Sequence, residues 1–113
     1  MQKPDTIRIR HMLDAAMDIQ TFTMGRTRQG FEKDRMRAFA VIHLFEILGE
    51  AASSISEETI KSNPQVRWRD IINMRNRLIH GYHDINLDII WKTAQEDIPV
   101  LIDQLEDLIS EHS

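Results

Sequence analysis

Residues Ala38 to Leu48, AFAVIHLFEIL, are apolar on nearly every side of a helical wheel, and a helix of that kind has to be enclosed by other helices. The run lies in a longer segment, about Phe31 to Ser53, that reads as one helix and as the most buried one in the chain. His43, on this greasy stretch, is expected to be a hydrogen-bonded core residue. Just beyond the run, Gly49, Ala51 and Ala52 leave little side-chain bulk. An interior helical glycine costs about 1 kcal/mol relative to alanine, so its place here predicts the close approach of a second helix.

Towards the N-terminus, the polar bridge RTRQG (residues 26–30) follows Gly25, a natural helix stop. Before it a helix is expected over about Thr6 to Met24, capped by Asp5 or Thr6, with Ile9, Leu13, Ala16 and Ile19 or Gln20 at steps of three and four. Towards the C-terminus, Ser56 ahead of Glu57 and Glu58 signals a short helix that ends by Asn63, because Pro64 disfavours helical geometry in the residue before it. The helical pattern restarts with Trp68, Ile71, Ile72, Arg75, Leu78 and Ile79, which predicts a helix over Arg67 to His80 that stops at Gly81. After the loop HDIN, with Asn86 or Asp88 as the next cap, Leu87, Ile90, Ala94, Leu101, Leu105 and Leu108 define a last helix over about Leu87 to Ile109, kinked at Pro99. Trp68 and Trp91 fall at helix-packing positions. Strand-like alternation is missing throughout. The fold class is all-α: an up-down bundle of four main helices plus one short one, in a single domain over residues 1–113.

The composition is that of an ordinary soluble chain, with 42% hydrophobic and 28% charged residues, four glycines and three prolines. The absence of cysteine removes disulfides, thiolate metal sites and cysteine nucleophiles. No apolar run approaches the roughly 18 to 20 residues of a membrane span, and MQKPDTIRIR lacks the apolar core of a signal peptide, so a cytoplasmic location is expected. The net charge of −4 argues against unspecific adhesion to nucleic acid, yet it is unevenly spread. Residues 83–113 hold eight acids against Lys92 alone, whereas residues 26–82 carry ten Lys and Arg against seven acids, with bases grouped at Arg26 to Arg37 and Arg67 to Arg77.

The stretch with chemistry is Met74 to Tyr82, MRNRLIHGY, which contains the pattern R-x4-H-x-Y in Arg75, His80 and Tyr82, with Asn76 beside the arginine. Arginine is always protonated and offers a planar fork to phosphate oxygens. Histidine moves protons near neutral pH, taking one from a ribose 2′-hydroxyl or giving one to a departing 5′-oxygen. Attack by the neighbouring 2′-hydroxyl needs no protein nucleophile and no metal, and it restricts the substrate to RNA. Geometry sets a limit, however. Positions five apart on a helix differ by about 140° in azimuth, so Arg75 and His80 do not share a face, while Asn76 and His80 do. A complete site needs either unwinding near Gly81 or an arginine from elsewhere, such as a second subunit. The plainer readings are a helix-end cap for the arginine and histidine, and a half-buried anchor for Tyr82. His80, His83 and Asp84 also form a weak metal-ligand grouping, spoiled by the break at Gly81.

MRNRLIHGYHDIN, preceded by FEILGEAA (residues 45–52), Pro64 and Trp68, and followed by IIWKTAQEDIPVLIDQL, resembles the HepT-like family of HEPN domains over nearly the whole chain. The resemblance implies an α-helical bundle that pairs as a homodimer, with the Arg-His motifs of both subunits lining one cleft as a metal-independent RNA endonuclease without a cofactor. It further implies the toxin half of a toxin–antitoxin pair, alone or in a larger assembly with an MntA-like minimal nucleotidyltransferase antitoxin. That partner would transfer AMP from ATP onto the motif tyrosine and so block the cleft. On this basis Arg75 and His80 take the catalytic roles, Tyr82 is the modified residue and Asn76 has a supporting role. The rival expectation is a catalytically silent HEPN module that partners a nucleotidyltransferase.

Overall fold

In the computed structural model the described residues are 1–81 and 85–112, and they form seven α-helices without a strand. These are α1 (Lys3–Thr23), α2 (Arg28–Lys33), α3 (Arg35–Ser53), α4 (Glu57–Ser62), α5 (Trp68–His80), α6 (Leu87–Glu96) and α7 (Ile98–Glu111). α1 and α3 pack along each other as the central pair, α5 lies on the far side of α3, and α7 lies against α1. α6 bridges α1, α2 and α7. The arrangement is an all-α, HEPN-like bundle.

The core follows from the apolar faces. Ile9, Met12 and Ile19 of α1, Val41, Phe45 and Leu48 of α3, and Leu105 and Leu108 of α7 are buried together. Phe31 of α2 is fully buried and stacks at a tilt on Trp91 of α6, with ring centroids 5.3 Å apart. Trp68 is buried at the start of α5, and its indole N–H donates to the Asn63 carbonyl at 2.9 Å, which fixes the turn between α4 and α5.

Four local expectations need correction. The segment expected as one helix over Phe31 to Ser53 is two, α2 and α3, separated at Asp34, whose φ of -89° and ψ of 86° are not helical. The Asp34 carboxylate accepts from the Arg37 N–H and from Arg37 Nε, each at 3.2 Å, so it caps α3; the backbone hydrogen bond from Arg37 holds its carboxyl below the ordinary value. The long last helix is also two, because the expected kink is a break at Asp97, and Pro99 sits in the first turn of α7, where its missing N–H has no intrahelical acceptor to lose. His43 is exposed rather than buried; the buried line on α3 runs through Val41, Ile42, Phe45, Leu48 and Gly49, and apolar residues outside it, Phe39 and Ile47, face solvent. Finally, neither Asp5 nor Thr6 caps α1, which begins at Lys3 with Pro4 in its first turn.

Asp5 instead serves a different helix. Its buried carboxylate accepts from the Ser56 N–H at 3.0 Å, from the Thr59 hydroxyl at 2.6 Å and from the Ser56 hydroxyl, at the N-terminus of α4. Burial disfavours the charged form, but the hydrogen bonds from Ser56 and Thr59 together outweigh it and keep the Asp5 pKa below its ordinary value. A carboxyl with a lowered folded-state pKa stabilises the fold above its unfolded pKa of about 3.9, and that contribution disappears as pH falls through the folded pKa. Asp5→Asn, which does not titrate, is therefore expected to be less stable than wild type at pH 7. The gap should narrow below about pH 4 in urea unfolding followed by circular dichroism.

Candidate active site

α5 carries three of the four predicted site residues, and its seat is set by α3. A Cβ on Gly49 would lie 2.2 Å from the Arg75 Cβ and 3.1 Å from the Ile71 carbonyl oxygen, so only glycine lets the two helices meet as they do. The close approach expected at Gly49 is therefore real, and the neighbour is the helix that bears the motif.

The seam between these helices holds Arg75. Its side chain is 19% exposed, and Nη1 donates to Glu50 Oε2 at 2.8 Å; Glu50 itself is 67% exposed. The Arg75 Nε is buried with no hydrogen-bond partner among the described residues. Glu50 and Ile79 line a shallow hollow of about 530 Å³ together with Arg8, His11, His43 and Glu46.

His80 is the last residue of α5 and is exposed. It opens on a recess of about 390 Å³ lined also by Met74, Arg77, Gly81, Ile85 and Asn86. Asn76 lines a larger groove of about 720 Å³ between α5 and the α6–α7 bend, with an apolar floor that includes Phe45, Leu48 and Leu101 and a polar rim that includes Arg67, Asn73 and Arg77. The recess and the groove adjoin, sharing Met74, Arg77 and Ile89, so Asn76 and His80 stand on neighbouring ground as their spacing predicts.

Arg75 lines neither of these hollows. Within one chain, then, the arginine and the histidine of the motif are held on different sides of α5, in keeping with their azimuths. The other bases near the motif lie apart from Arg75. Arg67 and Arg77 border the groove, Arg67 pairing with Asp70 at 2.7 Å, and Arg69 is exposed. Tyr82, His83 and Asp84 lie outside the described residues, and with them the site expected for modification and two of the weak metal-ligand grouping. Among the described residues no group of three or more His, Asp or Glu side chains is placed to hold a metal ion, and no helix is long and apolar enough to cross a membrane.

Reading the sequence alone passes over Glu50 as a partner of the site. The available signal is its place directly after Gly49, since a glycine that admits a neighbouring helix sets the next polar side chain beside whatever that helix carries.

Comparison with known proteins agrees with the architecture. A family model described as ribonuclease HepT-like matches residues 12–108. A probable ribonuclease HepT of Thermococcus cleftensis is 38% identical over 90 residues, which cover 80% of this chain and 82% of that protein. Two putative RNases of Methanocaldococcus jannaschii are similar as well. One is 36% identical over 100 residues, covering 88% of this chain and 83% of its own length. The other is 34% identical over 95 residues, covering 84% and 87%. No solved structure matches the chain. An all-helical bundle built around the Gly49 contact, with a match that takes in both α3 and the motif-bearing α5, places this chain in the ribonuclease HepT-like family.

Proposed function

We propose that the chain is a metal-independent RNA endonuclease, the toxin of a toxin–antitoxin pair, with Arg75 and His80 as its catalytic residues. The observation that carries this reading is the R-x4-H-x-Y motif at Arg75, His80 and Tyr82, inside a chain that matches the ribonuclease HepT-like family over residues 12–108. The chemistry is transfer within the RNA strand. A neutral imidazole takes the 2′-hydroxyl proton, the 2′-oxygen bonds to phosphorus, and the bond to the 5′-oxygen breaks as an imidazolium supplies its proton. The products are a 2′,3′-cyclic phosphate and a 5′-hydroxyl. The guanidinium holds the non-bridging oxygens as charge accumulates on them.

A homodimer completes the site in this proposal. One chain presents its arginine and histidine on different sides of α5, whereas two chains paired about a two-fold axis can bring an arginine of one to a histidine of the other. Pairing also supplies two histidines, so that one can act as base while the other acts as acid. Exposed apolar side chains support such pairing: Ile47 on α3 and Ile79 on α5, which share a hollow with Glu50, are 39% and 46% exposed, and Phe39, further towards the start of α3, is 50% exposed.

Tyr82 is proposed as the off-switch, its phenolic oxygen taking AMP from ATP with release of pyrophosphate, through an MntA-like minimal nucleotidyltransferase. Co-expression with such an enzyme is expected to raise the intact mass by whole AMP units in wild type and not in Tyr82→Phe; an unchanged wild-type mass would remove the switch. The nuclease itself is tested with single-stranded RNA in the presence of a chelator. Cleavage should persist and should stop where the scissile nucleotide is 2′-deoxy, and absence of cleavage would overturn the reading.

A silent binding module is the second reading. The observation that favours it is the separation of Arg75 from His80 in the single chain, together with a net charge of −4. An inactive wild-type dimer that nonetheless binds the nucleotidyltransferase would establish it.

A further inference from the structure

We propose that Glu50 is a positioning residue that fixes the Arg75 guanidinium in the orientation used to hold phosphate; its part in cleavage rests on the nuclease reading above. Two contacts define the arginine. At its base the side chain is wedged against Gly49, where even a Cβ would come within 2.2 Å of the Arg75 Cβ. At its tip Nη1 donates to Glu50 Oε2 at 2.8 Å. A guanidinium carries five N–H donors in a rigid fork, so a single fixed nitrogen together with a fixed stem sets the plane of the whole group. Nε is buried and has no acceptor among the described residues, and Glu50 takes one N–H of Nη1, so Nη2 and the second N–H of Nη1 are the donors left to meet a ligand.

The exposures distinguish positioning from fold stability. Arg75 is 19% exposed and Glu50 is 67% exposed, so the carboxylate comes to the arginine from the solvent side. Ion pairs with one partner this open contribute little to stability, because water and salt screen them and ordering a mobile Glu side chain offsets much of the gain. Removing Glu50 should therefore leave the fold in place and loosen only the guanidinium. A reacting group misplaced by about 1 Å can lose on the order of a hundredfold in rate, which makes orientation the larger consequence. Glu46, in the same hollow, is also acidic, but the Arg75 guanidinium pairs with Glu50.

The test uses full-length Glu50→Ala and Glu50→Gln, with the arginine side chains labelled for NMR. In wild type, the Arg75 Nε–H and Nη signals should show restricted rotation; Glu50→Ala should release it, and Glu50→Gln, whose amide oxygen still accepts a hydrogen bond, should retain part of it. This arm decides positioning without reference to cleavage, so it stands apart from any failure of the nuclease reading. In RNA cleavage, Glu50→Ala is expected to lower kcat by roughly tenfold to a hundredfold with KM little changed and unfolding unaltered, Glu50→Gln is expected to recover part of the loss, and Glu50→Ala should add nothing in an Arg75→Lys background. Arginine signals as restricted in Glu50→Ala as in wild type would overturn the proposal. So would a rise in kcat, which would make Glu50 a mask over the arginine rather than its support.

Discussion

Gly49→Val is expected to destabilise the chain by about 3 kcal/mol, at the upper end of what overpacking costs, and to do so at a position where many helical glycines tolerate substitution. The reason is the identity of the neighbour. The first added carbon would stand 2.2 Å from the Arg75 Cβ and 2.8 Å from its Cγ, atoms close to the backbone that cannot rotate away as a side-chain tip can. Relief has to come from separating α3 and α5. Alanine at the same position would regain about 1 kcal/mol of helix propensity, yet it meets the same Arg75 atoms and should still be a net loss. Urea unfolding is expected to show the midpoint falling in the order wild type, Gly49→Ala, Gly49→Val at a constant slope. A midpoint for Gly49→Ala at or above wild type would show that the seam opens freely. Because the clash falls on Arg75 itself, both variants should also lose RNA cleavage out of proportion to their stability.

His80→Ala is expected to reduce RNA cleavage by roughly a hundredfold to ten-thousandfold, the range for loss of a group that moves a proton in the transition state. The fold should hardly change, since His80 is exposed at the end of α5 and surface substitutions of this kind stay within about 0.5 kcal/mol. Gel analysis of end-labelled RNA, with circular dichroism as the control for folding, reads both. Undiminished cleavage would remove His80 from the mechanism. The proposed dimeric site adds a sharper expectation. Two independent sites would leave half the activity in a mixed dimer of wild-type and His80→Ala chains, whereas a shared cleft that needs both histidines would leave far less.

Local chemistry made much of this legible in the sequence. Ser56, Asn86 and Gly81 mark the ends of α4, α6 and α5 as expected, because caps and stops depend on a residue and its immediate neighbours. Gly49 announced a helix crossing, since its propensity cost has no local return. What escaped depends on partners distant in sequence. Asp5 looked like a cap for its own helix because the groups it binds, Ser56 and Thr59, are brought to it only by the fold. His43 was misplaced because periodicity cannot assign sides to a helix that is apolar almost all round. Asp97 interrupts an apolar pattern that runs on through the break, from Ile90 and Ala94 to Ile98 and Leu101, so that break leaves no trace in hydropathy, whereas the polar run EKDR (residues 32–35) was a signal for the break at Asp34. Of the candidate site, the residue types and their divergence on α5 were readable from the spacing. The Glu50 contact was not, because it requires knowing which side of α3 receives α5.

The Asp5 anchor also bears on the order in which the chain assembles. It joins positions 51 residues apart, from the first turn of α1 to the first turn of α4. A six-residue helix such as α4 cannot persist alone in water, because nucleation outweighs the few hydrogen bonds it closes. The local Ser56 cap is joined by the Asp5 carboxylate only once the intervening chain has folded back, so α4 gains its full set of N-terminal hydrogen bonds only with closure of that long loop. α4, and the turn through Asn63 that leads into α5, are thus expected to lose amide-exchange protection together in Asp5→Asn, ahead of the α1–α3 core.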